Sequence, residues 1–414
     1  YSASINDDTL PETTDPDFEF EYVDIGGVNA VDGITATEQV VFENAPSRAR
    51  RKVRHGDTIV STVRTYLRAI APIRNPPKNL IVSTGFAVVR PRKVEEAYLS
   101  YAIREGSFVE SVVARSTGVS YPACNASEVG CIPIPLPDPA EQRAIADFLD
   151  RETGKIDRLV AKKRELIEKL KEERTALISR AVTRGLNPAA KLKPSGVEWL
   201  VDIPTGWTPT HLKRVVTVCG RIGFRGYTTD DLVDEGEGAL ALGGANLTGI
   251  GKLDLTKRTY LSWHKYEESP EIKVSLHDLV IGQRGTCGRV VIIDRDIGKA
   301  TINPSLVLLK QPRMESRFLC YWLMGRFVQS VFDSYLSATA VPMLSQEQIG
   351  GVPVCCPSDP EQRVIADFLD RETGKIDRLA AKVEDAIVRL REYRAALITA
   401  AVTGKIDVRE ESNA

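Results

Sequence analysis

The 414-residue chain is predicted to be a mixed α+β protein: two globular α/β domains separated by two long helices that pair as an antiparallel coiled coil. The first observation is a repeat, because "EQRAIADFLDRETGKIDRL" at 141–159 recurs as "EQRVIADFLDRETGKIDRL" at 361–379, with Ala144 replaced by Val364. The second is weaker similarity upstream of both copies at nearly the same offset. The third is a series of short apolar runs bounded by Gly, Pro and Asp. Together they predict a duplicated unit with a pseudo-twofold internal repeat.

The repeat sets the expected domain boundaries. We predict a first globular domain at 1–138, a helical spacer at 139–186, a second globular domain at 187–357 and a second spacer at 358–414. The segment "SGVEWLVDIPTGWTPTHLKRVVTV" at 195–218 has no counterpart before Asp24. We therefore expect either that the first domain lacks its opening segment or that the returning C-terminus takes that place.

Within the globular domains, strands are predicted from β-branched runs. "HGDTIVSTVRTYLRAIAPI" at 55–73 resembles "LHDLVIGQRGTCGRVVIID" at 276–294, each with an Asp before a strand and an Arg in the following turn. The clearest helices are "VEEAYLSYAIREGSFVESVVAR" at 94–115 and its counterpart at 315–336. Each domain is thus expected to combine strand-rich layers with a few helices.

The long helices carry an apolar pattern with alternating steps of three and four. In the second copy it occupies 379, 383, 386, 390, 393, 397 and 400, whereas in the first the matching positions include Lys163 and Glu173. Gly154 and Gly374 are expected to break or kink the helices, with the preceding Thr as a cap, since glycine costs about 1 kcal/mol inside a helix. A helix of roughly 30 residues spans about 45 Å, a little more than the roughly 34 Å turn of B-DNA.

The net charge of −1 hides an uneven distribution, because residues 1–24 carry eight acids and no base while 47–74 carry eight bases and one acid, Asp57. Clustered Arg with an interleaved Tyr suits phosphate neutralisation and base contacts. The alternative is a solvated surface run paired with the acidic segment. The candidate DNA-binding residues are Arg48, Arg50, Arg51, Lys52, Arg54, Arg64, Tyr66 and Arg68, and in the second domain Asn246, Lys252, Arg258, Lys265, Gln283, Arg284, Thr286 and Arg289.

Other function classes find little support. The seven cysteines form no CxxC pair and the four histidines have no metal-ligand spacing, so we predict no metal site and reduced, mostly buried thiols. "GGANLTGIGK" at 243–252 has Asn246 where a phosphate loop needs glycine, and "NPPK" ends in Lys78 where an adenine methyltransferase has an aromatic residue. No apolar run is long enough to span a membrane. We expect a non-catalytic, cytoplasmic protein.

The repeat block, the helix endings "LISRAVTRGL" and "LITAAVTGKI", and the lead-in "SGVEWLVDIPTGWTPTHLKRV" resemble the specificity subunit of type I restriction-modification systems. The resemblance covers essentially the whole chain. It implies that each globular domain is a target recognition domain reading one half of a split double-stranded DNA site, while the helices fix the spacing. It also implies two modification subunits that methylate adenine with S-adenosylmethionine, and restriction subunits that use ATP and Mg²⁺. No cofactor is expected on this chain itself.

The near-identity of 141–159 and 361–379 exceeds what a coiled-coil seam needs. We interpret the repeated polar residues as two equivalent docking surfaces for the modification subunits, although recent duplication alone would also leave them identical. These expected exposed residues are Glu141, Gln142, Arg143, Arg151, Lys155 and Arg158, with Glu361, Gln362, Arg363, Arg371, Lys375 and Arg378. The alternative function is a coiled-coil protein-interaction adaptor without DNA specificity.

Overall fold

The computed structural model describes residues 2–30, 32–197, 199–221, 223, 226–337 and 342–408. The chain forms two compact units, unit 1 from Tyr1–Glu165 with Val383–Ala414, and unit 2 from Leu166–Lys382. Unit 1 is therefore discontinuous in sequence, and the last segment of the chain belongs to the same unit as the first. Both long helices contribute residues to both units.

The described residues of unit 1 form ten strands, three short helices and parts of the two long helices. Its strands are β1 (Ala3–Ile5), β2 (Glu19–Val23), β3 (Val28–Asn29), β4 (Gly33–Ile34), β5 (Glu38–Val41), β6 (Ala49–Lys52), β7 (Thr58–Ser61), β8 (Ile70–Pro72), β9 (Leu80–Ser83) and β10 (Phe86–Pro91). Its short helices are α1 (Glu96–Arg104), α2 (Gly106–Ala114) and α3 (Ala126–Gly130). The long helix α4 (Pro139–Arg184) begins in this unit.

Unit 2 repeats this arrangement with additional strands. Its strands are β11 (Leu192–Val197), β12 (Leu200–Pro204), β13 (Thr208–His211), β14 (Thr217–Gly220), β15 (Leu232–Val233), β16 (Gly238–Leu242), β17 (Tyr260–Ser262), β18 (Leu279–Gly282), β19 (Val290–Ile292), β20 (Ala300–Ile302), β21 (Leu306–Lys310) and β22 (Pro353–Cys356). Its helices are α5 (Leu212–Val215), α6 (Trp263–Glu267), α7 (Ser316–Met324), α8 (Arg326–Ser337), α9 (Gln346–Gly350) and the start of the long helix α10 (Asp359–Val402).

Each unit contains two four-stranded sheets. An antiparallel sheet has the order β1-β10-β7-β8 in unit 1 and β14-β21-β18-β19 in unit 2. A second sheet contains one parallel pair, β2 with β9 in unit 1 and β16 with β20 in unit 2. The parallel pair joins strands that are far apart in sequence. Both units contain helices as well as strands, so both are mixed α/β as predicted. The duplication is thus confirmed at the level of sheet topology.

The long helices run without the predicted interruption, so the break at Gly154 and Gly374 is wrong. Thr153 is not a cap but lies inside the helix, where its hydroxyl donates to the carbonyl of Leu149 and contacts the hydroxyl of Tyr101. Thr373 makes the same contacts with Leu369 and Tyr321. Packing of the buried face against each globular part outweighs the roughly 1 kcal/mol that glycine costs in a helix.

The buried residues of the two long helices follow the predicted alternating spacing of three and four. At every second predicted position, however, the buried residue is the next one along the chain. In the middle of α4, Val160 and Ile167 are buried together with the predicted Leu170, whereas the predicted Leu159 and Leu166 are 43% and 40% exposed. Position 174, not 173, faces inward, which removes the apparent interruption by Glu173. In α10, Val383 and Ile387 are buried while Leu379 and Tyr393 are 46% and 59% exposed. Two heptad phases fit the apolar pattern, and they differ by one residue at every second position. Packing selects the phase that was not predicted.

Within each unit the two helices are antiparallel. In unit 1, Ile145 near the start of α4 lies in one apolar cluster with Ile398 and Val402 near the end of α10. In unit 2, Ile178 and Val182 near the end of α4 share a cluster with Ile365 near the start of α10. This confirms the antiparallel pairing expected from the repeat.

Candidate nucleic-acid interface

Each globular part is fixed to its long helix by two duplicated polar contacts. The hydroxyl of Tyr101 donates to the Asp150 carboxylate at 2.7 Å, and Tyr321 donates to Asp370 at 2.7 Å. Burial by itself would raise the pKa of Asp150, but hydrogen bonds from Arg74 and Tyr101 hold that pKa below its ordinary value. The carboxylate therefore stays charged and fixes helix α1, which carries Tyr101, against the long helix.

Gln142 and Gln362 form the second contact and correct the docking prediction. Both side chains are 2% exposed. The Gln142 side chain accepts from the backbone N–H of Glu95 at 2.8 Å and donates to the carbonyl of Pro137 at 2.7 Å. Gln362 repeats this with Glu315 at 2.8 Å and Pro357 at 2.9 Å. Their identity in the two copies reflects internal hydrogen bonding, so they offer no surface for a partner.

The other predicted docking residues lie at the surface of their helices. Glu141 and Glu361 are half-buried, and the basic residues at 143, 151, 155 and 158 and at the four matching positions are exposed. Glu152 accepts from Arg151 and from Lys155, both at 2.9 Å. Glu372 accepts from Arg371 at 2.8 Å and Lys375 at 2.9 Å. The structure thus presents the same charged motif twice, and the docking role itself remains a prediction.

In unit 1 the basic run is spread over a strand and two turns rather than one patch. Arg48 pairs with Asp24 at 2.9 Å and Arg54 with Asp8 at 2.7 Å, so the alternative of pairing with the acidic N-terminal segment holds for these two. Arg68 pairs with Glu110. The strand β6 carries Arg50, Arg51 and Lys52, all half-buried. Burial lowers the pKa of Arg51, and the Arg50 guanidinium lies 4.7 Å from the Phe42 ring centroid.

Three exposed candidates, Arg64, Tyr66 and Arg68, lie in the connection between β7 and β8. A 3-10 turn, Thr65–Leu67, is flanked by Arg64 and Arg68, whose φ angles of 51° and 54° are left-handed. Such conformations in bulky residues are costly and cluster at functional sites. Tyr66 and Leu67 are 53% and 47% exposed. This turn therefore presents Arg, Tyr and Leu side chains outward on a constrained backbone.

A second loop, which contains Tyr121 and Pro122, contacts this turn. None of its residues was among the predicted DNA-binding residues. The Arg64 guanidinium lies 4.7 Å from the Tyr121 ring centroid, and the Arg64 backbone N–H donates to the carbonyl of Pro122 at 2.8 Å. Tyr121 is 63% exposed and Val119 is fully exposed. The only signal in the sequence was the polar run "STGVSYP" before this proline. We call the exposed side chains of both loops the unit 1 tip: Arg64, Tyr66, Leu67, Arg68, Val119 and Tyr121.

In unit 2 one loop gathers half of the predicted residues. Gln283, Arg284, Thr286 and Arg289 lie between β18 and β19, the counterpart of the β7–β8 connection. Arg284 and Arg289 are exposed, and Arg284 donates from Nε to the Met343 sulfur at 3.0 Å. Thr286 differs from the prediction, since its hydroxyl oxygen is buried. We call Gln283, Arg284 and Arg289 the unit 2 tip.

The remaining unit 2 candidates do not join this tip. Asn246 is 5% exposed, accepts from the N–H of Gly243 and donates to the carbonyls of Asp254 and Lys257, so its amide is used inside its own loop and the expected base-edge contact is wrong. Arg258 pairs with Glu235 at 3.0 Å and Lys265 with Glu268 at 2.6 Å. Lys252 is exposed in a separate turn.

Among the described residues, no cluster of three or more His, Cys, Asp or Glu side chains has a metal-binding arrangement. Within that same part of the chain, no helix combines the length and apolarity needed to cross a membrane. All seven cysteines are free; Cys320 and Cys355 are buried, Cys131 is exposed and the others are intermediate.

Comparisons with known proteins agree with this architecture. The type I restriction enzyme MjaVIII specificity subunit of Methanocaldococcus jannaschii is 23% identical over 340 residues, which cover 80% of this chain and 75% of that protein. The EcoBI specificity subunit of Escherichia coli is 23% identical over 283 residues, covering 66% of this chain and 58% of that protein. A solved structure described as showing complex assembly and conformational transition of the type I R-M system matches with a TM-score of 0.69 and 22% identity, covering 97% of both chains, and shares the fold.

The family model that matches covers both copies of the repeat. The model of the type I restriction modification DNA specificity domain matches residues 21–169 and 257–387, more than half of the chain. Each of the two matched segments contains the near-identical opening of one long helix. The chain therefore belongs to the type I restriction modification DNA specificity domain family.

Proposed function

We propose that this chain is the DNA sequence-specificity subunit of a type I restriction-modification complex. The observation that carries the proposal is the duplication within this family. Both units combine an equivalent antiparallel sheet, a second sheet with one parallel pair, and the same Tyr–Asp and Gln contacts to a long helix, and both present an arginine-bearing loop after the equivalent strand. A protein with two related halves suits a DNA site with two halves.

Each tip is proposed to read one half of a split double-stranded DNA site, with the long helices as the spacer. Arg64 of the unit 1 tip carries the positive charge that neutralises a phosphate, and an exposed guanidinium also matches the two acceptors on a guanine edge. Arg284 and Arg289 supply the corresponding charge in unit 2. The ion-paired Arg48, Arg54, Arg68 and Arg258 contribute less, because each must first give up an acidic partner.

The charged motif that occurs once on each long helix is the proposed docking site for one modification subunit, which gives two sites in all. Near-identical surfaces bind near-identical partners, so docking on α4 and on α10 should occur in equal numbers. Restriction subunits would join this assembly. S-adenosylmethionine, ATP and Mg²⁺ are assigned to those partners and no catalytic step to this chain.

The test is duplex binding by the purified chain together with its modification partner. We expect strong preference for DNA carrying a bipartite adenine motif with a fixed gap, and loss of that motif from the methylome when the gene for this chain is deleted. Equal affinity for all duplexes would contradict the proposal. Calorimetric binding of S-adenosylmethionine by this chain alone would contradict its non-catalytic role.

A further inference from the structure

A cavity of about 700 Å³ lies within unit 1, between the β8–β9 region, the first part of α4 and the last part of α10. Its wall combines apolar side chains such as Ile70, Ile156 and Val160 with a concentration of guanidinium groups. Five arginines line it: Arg74, Arg104, Arg164, Arg391 and Arg394. Four acids also line it: Glu21, Asp32, Asp150 and Asp157.

Three of the arginines have acidic partners in the cavity wall. Arg74 pairs with Asp150 at 2.8 Å, Arg164 with Asp32 at 3.3 Å, and Arg394 with Asp157 at 2.9 Å. These pairs account for three of the four acids. The remaining two arginines have no carboxylate within ion-pair distance among the described residues.

Of those two arginines, Arg104 is held by contacts with its own helix that leave its charge unneutralised. Arg104 donates from Nε to the carbonyl of Ser100 at 2.9 Å and stacks on the Tyr101 ring. Burial, together with the charges of Arg394 and Arg74, lowers the pKa of Arg104 to about 10. The Nε of Arg391 is buried and has no hydrogen-bond partner in the described part of the chain. Buried donors are normally satisfied, so this one points to a ligand.

Unit 2 provides an internal comparison. At the position matching Arg104 it has Met324, and a Cβ on Gly251 would lie 2.8 Å from the Met324 sulfur, so the Gly251 loop packs directly on this side chain. The adjacent carbonyl of Ile250 accepts from Arg174, the counterpart of Arg394, at 3.0 Å. In the place of Arg391 unit 2 has Lys171, which is exposed. The two unpaired guanidinium groups are therefore a feature of unit 1 alone and not required by the shared fold.

We propose that the unit 1 cavity binds a small phosphate-bearing anion, up to the size of a mononucleotide, with Arg104 and Arg391 as its guanidinium donors. Two positive charges without carboxylate partners match a dianionic phosphate better than a single carboxylate, and the planar fork of a guanidinium suits phosphate oxygens. The apolar side chains leave room for the organic part of a phosphate ester. The site differs from both tips and goes beyond the proposed function.

The test uses the full-length chain and isothermal titration with adenosine monophosphate, pyrophosphate and acetate. We expect saturable binding of a phosphate probe, weakened at least 10-fold by Arg104→Met and by Arg391→Gln. Arg104→Met should fold, because unit 2 carries methionine there, and Lys171→Gln in unit 2 is the matched control that should leave the affinity unchanged. If Arg104→Met does not fold, Arg391→Gln still decides the question.

The probes separate the possible sources of the phosphate. Tighter binding of adenosine monophosphate than of pyrophosphate would identify a nucleotide, and the reverse order an inorganic polyphosphate. Absence of binding by the wild-type chain, unchanged affinity in both variants, or equal binding of acetate would overturn the proposal. Duplex preference measured on the same variants should be retained, which separates this site from DNA recognition.

Discussion

Arg174 of α4 donates from its Nε to the Oδ1 atom of Asp377 in α10 at 2.8 Å, and the two side chains are only 10% and 20% exposed. The matching residues form the same pair in unit 1, Arg394 with Asp157 at 2.9 Å, but there the carboxylate is 57% exposed. Each arginine occupies a position of the helix seam where an apolar residue would be expected. The antiparallel pairing is thus specified in both units by the same charged contact.

This difference in burial predicts unequal stability losses. Arg174→Ala should lower the free energy of unfolding by about 3 kcal/mol, because it leaves Asp377 buried without its partner. Arg394→Ala should cost about 1 kcal/mol or less, since Asp157 is largely solvated. Chemical denaturation of both variants checks the order. Equal losses would show that burial of the pair does not set its contribution.

Gln142→Ala and Gln362→Ala should destabilise the protein and leave partner docking intact once folded. Each removes the acceptor for a backbone N–H and the donor for a carbonyl, which costs about 1–3 kcal/mol when the groups stay buried. Thermal unfolding and co-purification with the modification subunit provide the measurements. Arg143→Ala, at an exposed neighbouring position, is the control for stability. Unchanged stability with lost docking would restore the original interpretation of these glutamines.

Arg64 and Tyr66 of the unit 1 tip should contribute more to DNA binding than the ion-paired arginines. Arg64→Ala combined with Tyr66→Ala should weaken binding of the specific duplex at least 10-fold and reduce its salt dependence, since one phosphate contact and one base or sugar contact are lost. Arg54→Ala, which removes an arginine paired with Asp8, is the matched control and should have little effect. The opposite ranking in a fluorescence anisotropy titration would move the interface to the β6 region.

Alkaline pH should destabilise the protein through Tyr98. Burial, with a smaller effect from the charge of Glu141, raises the pKa of Tyr98 to about 12. Between about pH 10 and 12 the unfolded chain loses the Tyr98 proton while the folded chain retains it, so the free energy of unfolding falls as pH rises.

Tyr98→Phe should reduce this decline and cost about 1 kcal/mol at neutral pH through loss of the hydrogen bond to the Pro135 carbonyl. The substitution should be tolerated, because unit 2 has the fully buried Phe318 at the matching position. Denaturation curves at pH 8 and pH 11 provide the comparison. A decline of the same size in both proteins would exclude Tyr98 as its source.

Thiol reactivity should follow burial. Burial raises the pKa of both Cys320 and Cys355 to about 12, so these thiols remain protonated and shielded at pH 8. Cys131 is exposed and should react first with iodoacetamide. Mass spectrometry of the native protein checks the order, with the denatured protein as the control in which all seven thiols react. Early alkylation of Cys320 in the native state would contradict this burial.

The duplication, the two long helices and the family can be predicted from the amino-acid sequence, because a repeat and a heptad-like spacing are visible in the chain. The heptad phase needed the tertiary structure, since two registers one residue apart fit the apolar pattern and only packing placed Val160 and Arg174 inward. The roles of the repeated residues were also decided in three dimensions. Identity between copies does not distinguish Gln142, whose hydrogen bonds are internal, from Arg143, which faces solvent. The cavity around Arg104 and Arg391 was not visible in the sequence, because its arginines lie in segments hundreds of residues apart.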